Sequence, residues 1–362
     1  MAKANYLDML EEELLKEMGQ GKPKKKEKAK PEAPLFSKPT ATRKRKGQKK
    51  FSDVFGFVPP SGKDHLITCY TKNDWPEEMH SHIPDKAEFK GYEAQPHEVE
   101  LLVLGKEMGD RVNIVGPTGS GKSSMVKYVA AMTGKPFIRI NGRGDLESSG
   151  LLGQLTAQDG STVWNDGLVT HAVKNGADLC LDEWTLIPPE ILMTLQWLME
   201  DGGKLIVTDM PGSAEDKTIT PHPAFRMICT DNTRGLGDES GAFAAVQVQN
   251  TATLDRFGTV IHLDYLSKEH ELNVLKNAHP EMTDAFGEKA IQFAALVRQA
   301  YDTGETSLTC SPRTLLNWTK KALYFQDAKL ALKMAFFEKV SGDAERMAIS
   351  GFYRTVFNDD LV

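Results

Sequence analysis

The chain has 362 residues, 40% of them hydrophobic and 26% charged, and a net charge of −6. This excludes a wholly disordered or fibrous chain, and at ~300 residues a protein buries roughly three quarters of its unfolded surface, so no disulfide framework is required. No apolar run approaches the ~18 residues of a membrane span and no secretory leader is visible, so the chain is expected to be cytoplasmic, with Cys69, Cys180, Cys229 and Cys310 as free thiols.

Charge is placed unevenly along the chain. Residues 1–20 carry −3, residues 21–50 carry +11 and residues 51–362 carry −14. Tyr6, Leu7, Leu10, Leu14 and Met18 fall at helical spacing, which predicts a short amphipathic helix over 1–20. Its apolar stripe needs a partner, either another protein or the body of its own chain. The Lys- and Pro-rich stretch 21–50 reads as a basic disordered linker, either a solvated spacer or an electrostatic contact for nucleic acid.

Residues 51–94 form an extension whose apolar Phe51–Pro60 segment must pack somewhere. His80 and His82, with Cys69, are too few and too irregular in spacing to specify a zinc site. Glu98 to Met108 is expected to be a helix leading to a buried strand, Arg111 to Val115.

That strand runs into Gly116, Pro117, Thr118, Gly119, Ser120, Gly121, Lys122 and Ser123, which fit the G-x-x-x-x-G-K-[ST] phosphate-binding pattern. Ser123 to Met132 reads as the helix that follows, with Met125, Val129 and Met132 on one face. In this strand–loop–helix setting, backbone N–H groups point at phosphate. Lys122 reaches the β- and γ-phosphates, the Ser123 hydroxyl suits Mg²⁺, and Ser124 extends the nucleotide-binding set. ATP and Mg²⁺ are therefore the expected cofactors.

A second short strand is expected over Pro136–Asn141, followed by a polar, glycine-rich insertion, 142–166. Ala177 to Glu183 is an apolar strand ending in two acids. Asp182 suits Mg²⁺ held through its water shell, and Glu183 suits polarising an attacking water. A helix is expected over Pro189–Met199, then an extended hairpin from Lys204–Asp209 and Lys217–Pro221. Phe225 to Thr230 reads as another buried strand with Asn232 just beyond it, placed to bond the γ-phosphate or the attacking water. After a strand over Thr259–Leu263, five helices are expected: Lys268–Ala278, Glu288–Tyr301, Pro312–Phe325, Ala328–Val340 and Ala344–Val356. Ser311 and Pro312 read as the cap and first turn of the third, which fixes the orientation of Arg313.

This order of motifs resembles the AAA+ ATPases. Pro221–Arg226, the Thr230-Asp231-Asn232-Thr233…Gly241 run, Leu254-Asp255-Arg256-Phe257, Ser311-Pro312-Arg313-Thr314 and Trp318 narrow the resemblance. They are similar to the CobS-like ATPases of aerobic cobaltochelatase, in the MoxR-like branch, including bacteriophage homologues. The resemblance runs from about residue 90 onward; the stretch after Asn141 departs from it. It implies an α/β AAA+ P-loop core, a parallel sheet flanked by helices with two β-hairpin insertions, over 95–266, and a helical lid over 267–362. It further implies a ring, a hexamer, with nucleotide between subunits. Gly116–Ser123 then corresponds to Walker A and Asp182–Glu183 to Walker B. Asn232 corresponds to sensor 1, Arg313 to sensor 2 and Arg256 to an arginine finger; the alternative for Arg256 is a surface pair with Asp255. The implied partner carries a von Willebrand A-type domain. Rival readings are a nucleic-acid-directed motor using the basic arm and a slowly hydrolysing assembly scaffold.

Overall fold

The computed structural model describes residues 47–233 and 250–361. The helix expected over 1–20, residues 21–46 of the linker expected over 21–50 and the Gly235–Gly241 part of the CobS-like run lie outside them. The chain opens with β1 (Gln48–Lys50), α1 (Phe51–Phe55) and β2 (Leu66–Thr68), and the two strands pair antiparallel. The strand β1 thus lies inside the range 21–50 read as linker, because Lys49 and Lys50 can join a ladder while their charges stay in water. The following extension is part of the core. Phe51 and Ile67 pack on one side of the main sheet, and Trp75 and Met79 on the other.

The elements that follow are α2 (Pro96–Met108), β3 (Val112–Val115), α3 (Lys122–Thr133) and β4 (Phe137–Asn141). The insertion holds α4 (Ser148–Leu152), β5 (Gly153–Gln158) and β6 (Ser161–Asp166). The strands β5 and β6 form a hairpin closed by Asp159 and Gly160, both at positive φ (50° and 77°), the backbone that matches the strands' right-handed twist. Then come α5 (Leu168–Asn175), β7 (Asp178–Asp182), α6 (Pro189–Leu195), β8 (Leu205–Ile206), β9 (Thr218–Ile219), β10 (Arg226–Asp231), α7 (Thr251–Leu254) and β11 (Thr259–His262). The hairpin expected over 204–221 pairs only as β8 with β9. The helix expected to reach Met199 stops at Leu195 and tightens into a 3₁₀ turn, which lets Leu195, Leu198 and Met199 all turn inward.

Five strands form one parallel sheet in the order β11-β3-β10-β7-β4. Successive side chains alternate between faces. Val112, Ile114, Cys180 and Ile228 meet α2 and α3 through Val103, Met125 and Val129. Leu179, Leu181, Met227 and Cys229 join Val169, Val173 and Trp184 on the other face. A parallel sheet buried on both faces puts its loops, and therefore its chemistry, at the carboxyl ends of the strands.

The helical region comprises α8 (Lys268–Ala278), α9 (Asp284–Asp302), α10 (Pro312–Phe325), α11 (Ala328–Ala335) and α12 (Asp343–Phe357), around a core of its own built on Phe293, Trp318, Phe336, Phe337 and Tyr353. The fourth helix does not run to Val340. It breaks at Phe336 (φ −138°), and both Phe336 and the following Phe337 are buried in the core of the helical region. Among the described residues no helix is long and apolar enough to cross a membrane, and no three His, Cys, Asp or Glu side chains gather as a metal-binding group.

Candidate functional site

The loop between β3 and α3 sits where the sheet's carboxyl edge meets the helical region. Gly119 and Gly121 have φ of 77° and 95°, a backbone that side-chain-bearing residues rarely adopt, and they curl the loop ahead of the helix N-terminus. Gly119 is needed for a second reason: a Cβ there would lie 2.8 Å from Ser311 Cβ. The loop and the start of α10 are therefore in direct contact.

Lys122 Nζ donates to Gly116 O (2.8 Å), to Pro117 O (3.0 Å) and to Asn232 Oδ1 (2.7 Å). Its ammonium is buried, and burial pushes its pKa down to about 8, against the upward pull of Asp182, Asp231 and Glu183 and with a downward push from Arg313. Thr118, Gly119, Ser120, Gly121, Ser123 and Ser124 line a cavity of about 690 Å³ together with Lys122. Asp182, Glu183 and Asn232 from the strand ends and Arg313 from α10 complete it. Ser120 Oγ is buried without a protein partner, and nothing lies within 4 Å of where a Gly121 Cβ would sit. The site is a pre-formed space for a polyanion, with hydroxyl and carboxylate oxygens at Ser123 and Asp182 of the kind that suit Mg²⁺.

Side chains that sequence reasoning gave no role also shape this site. Arg139, on β4, pairs with Asp182 Oδ2, while Thr230 Oγ1 donates to Asp182 Oδ1. Asp231 Oδ1 accepts from Thr185 Oγ1 (2.8 Å) and from Asn232 N (2.8 Å), fixing the turn that presents Asn232. Tyr265 donates from Oη to Thr118 O (3.0 Å), its ring 4.0 Å beneath the Arg298 guanidinium. Arg298 in turn grips buried Glu271 with two hydrogen bonds and donates to Cys310 O (2.8 Å), just before the α10 cap. The local signal for Arg139 was a lone Arg among the apolar residues of its strand, without its pairing to the acid-ending strand; Tyr265 carried no local signal.

Glu183 stands exposed at the end of β7 in the left-handed region (φ 52°), held by its N–H donating to Thr230 Oγ1 (3.2 Å). Arg256 does not line the cavity. Its Nε lies 2.5 Å from Glu200 Oε1 and its Nη1 donates to Ala252 O (2.5 Å). The alternative considered from sequence, a pair with Asp255, is replaced by this longer-range pair with Glu200.

A parallel sheet with this loop, the two strand-end acids and a helical region closing over them defines a P-loop nucleoside triphosphatase of the AAA+ type. Residues 111–257 match the AAA domain (dynein-related subfamily). The chain is 29% identical over 318 residues to the aerobic cobaltochelatase subunit CobS of Sinorhizobium sp, covering 85% of this chain and 90% of that one. It is 28% identical over 251 residues to the gas vesicle ATPase GvpN of Haloferax mediterranei, covering 64% and 68% respectively. The RuvB Holliday junction branch migration motor of Thermotoga maritima is similar at 17% identity and a TM-score of 0.39, over 73% of this chain and 68% of that one. The chain is an ATPase with an AAA domain, similar to the CobS/MoxR-like ATPases.

Proposed function

We propose that the protein works as a ring, a hexamer, that hydrolyses ATP with Mg²⁺ and uses the resulting motion to remodel a partner protein complex, as a chelatase-type motor does. The observation that carries this reading is the meeting of Lys122, Asp182, Glu183, Asn232 and Arg313 around one cavity, with Arg256 outside it. An arginine that faces away from its own nucleotide is available to a neighbouring subunit's.

In this mechanism Lys122 exchanges its carbonyl partners for phosphate oxygens. Asn232 Oδ1 accepts from Lys122 Nζ and, with the lysine moved, the side chain turns its amide toward the γ-phosphate or the attacking water. Glu183 polarises that water, and Arg313 and a neighbour's Arg256 stabilise the charge that develops on the transferred phosphoryl group. Ser123 and Asp182 would hold Mg²⁺, which supplies charge neutralisation between the phosphates. For that, Arg139 releases Asp182 or shares it through water. Hydrolysis then alters the contact between the loop and α10, and the helical region shifts against the sheet. The hairpins over 153–166 and 204–222 are the candidates for carrying that movement to the partner. By likeness to CobS, the partner carries a von Willebrand A-type domain.

The deciding experiment loads Glu183→Gln with ATP, isolates the assembled protein and identifies what it retains. An adhesion-domain protein supports the remodeller. The +11 charge over residues 21–50 favours a second reading, a nucleic-acid-directed motor; nuclease-sensitive DNA or RNA in the same isolate, with steeply salt-dependent stimulation of hydrolysis, would establish that one instead.

A further inference from the structure

The sheet has a second charged cavity at its amino edge, away from the nucleotide site. Asp178 opens β7 beside Phe137 of β4 and Arg226 of β10, about 13 Å along the strand from Asp182 at ~3.3 Å per residue. It is fully buried, and two lysines share it. Lys106 Nζ lies 2.5 Å from Asp178 Oδ2, and Lys135 Nζ lies 2.6 Å from Oδ1. The lysines themselves are only 7% and 3% exposed.

Lys106, Lys135, Arg226 and His222 line a cavity of about 270 Å³ whose remaining wall includes Val103, Val129, Ala224 and Glu107. Glu107 is already engaged, accepting from Thr68 N (2.7 Å) and Thr68 Oγ1 (3.0 Å). Arg226 uses Nε on Lys106 O and Nη1 on Pro223 O and Phe225 O. His222 Nδ1 accepts from Ala224 N (3.1 Å). Three cations therefore stand against two carboxylates, Asp178 and Glu107, leaving an excess positive charge next to apolar walls.

A buried charge without a counter-charge is relieved either by neutralising itself or by acquiring an anion. Burial pushes Lys135 down to about 7, with Asp178 pulling it upward, so the amine is close to giving up its proton. We propose that this cavity binds a small anion, its charge held by Lys135, Lys106 and Arg226 and the body of an organic carboxylate lying on Val103, Val129 and Ala224. This site is independent of the nucleotide reading.

The test titrates the full-length protein at pH 7 by calorimetry, with ADP saturating the glycine loop. The probes are benzoate, a carboxylate with an apolar body, and inorganic phosphate. Lys135→Met leaves Lys106 and Asp178 as a matched pair and should fold. Saturable benzoate binding, weakened tenfold or more by Lys135→Met, supports the site. Phosphate binding as tightly as benzoate supports an anion site read by charge, whereas phosphate alone overturns the organic-carboxylate assignment. Binding of neither probe, or equal affinity in Lys135→Met, overturns the site altogether. A measurement that needs no variant is amine acylation followed by mass spectrometry. Saturating benzoate should slow modification of Lys135 about tenfold, and an unchanged rate would count against the proposal.

Discussion

Lys122 Nζ and Asn232 Oδ1 lie 2.7 Å apart, joining the phosphate loop to the strand end one place across the sheet. The bond holds a desolvated ammonium in the position a phosphate oxygen would otherwise satisfy. Asn232 is thereby tied to the loop, and in the proposed mechanism its amide is released when Lys122 turns to a nucleotide.

A pH dependence of binding follows from Lys122. Its pKa of about 8 in the free protein rises when phosphate pairs with the ammonium, so binding takes up a proton above that value. ATP affinity should be flat below pH 8 and fall by up to about tenfold per unit above it. Nucleotide titrations from pH 6.5 to 9.5 check this, and a flat profile throughout would remove Lys122 from the phosphate contact. Lys122→Met should bind weakly at every pH.

Glu183→Gln keeps the shape of the strand end and removes the proposed base. Turnover should drop by about 10²–10⁴, with ATP affinity within a few-fold of the parent. Single-turnover hydrolysis separates the two quantities. Turnover near the parent's would reassign the base.

Arg256 and Glu200 separate a catalytic arginine from a structural one. If Arg256 serves a neighbour's nucleotide, Arg256→Ala loses about 10³-fold or more in turnover while retaining ATP binding. Glu200→Ala, which only frees the guanidinium from its salt bridge, should keep most of the activity. Equal losses in both variants would make the pair a structural tie.

Tyr265 connects the loop to the helix bearing Arg313, through Thr118 O on one side and the Arg298–Cys310 contact on the other. Tyr265→Phe preserves the ring beneath Arg298 and removes the hydrogen bond to Thr118 O, along with a long contact to Thr309 Oγ1 (3.5 Å), a loss of about 1 kcal/mol, or roughly fivefold in ATP affinity. That loss should shrink toward nothing in an Arg313→Ala background, because the tyrosine acts through the arginine. A double-mutant cycle on ATP affinity measures it; equal effects in the two backgrounds would make the two residues independent.

Much of this protein is determined by local sequence. The glycine pattern from Gly116 to Ser123 needs only its flanking apolar strand and helix to form a phosphate loop, and strand ends follow from where apolar runs stop. Asp159-Gly160 closes its hairpin because those two residues accept positive φ. Helix ends were less legible, since burial of side chains such as Phe336 and Phe337 overrides periodicity. What only the tertiary structure decided is which distant charges meet. Arg139 reaches Asp182 because β4 lies beside β7, and Arg256 finds Glu200 across 56 positions of sequence. Two lysines from different elements share Asp178 because α2 and the turn after α3 both end at the sheet's amino edge. Backbone conformation is a property of neighbours along the chain, whereas the strength of a charge pair depends on distance and burial, which exist only once the sheet has formed.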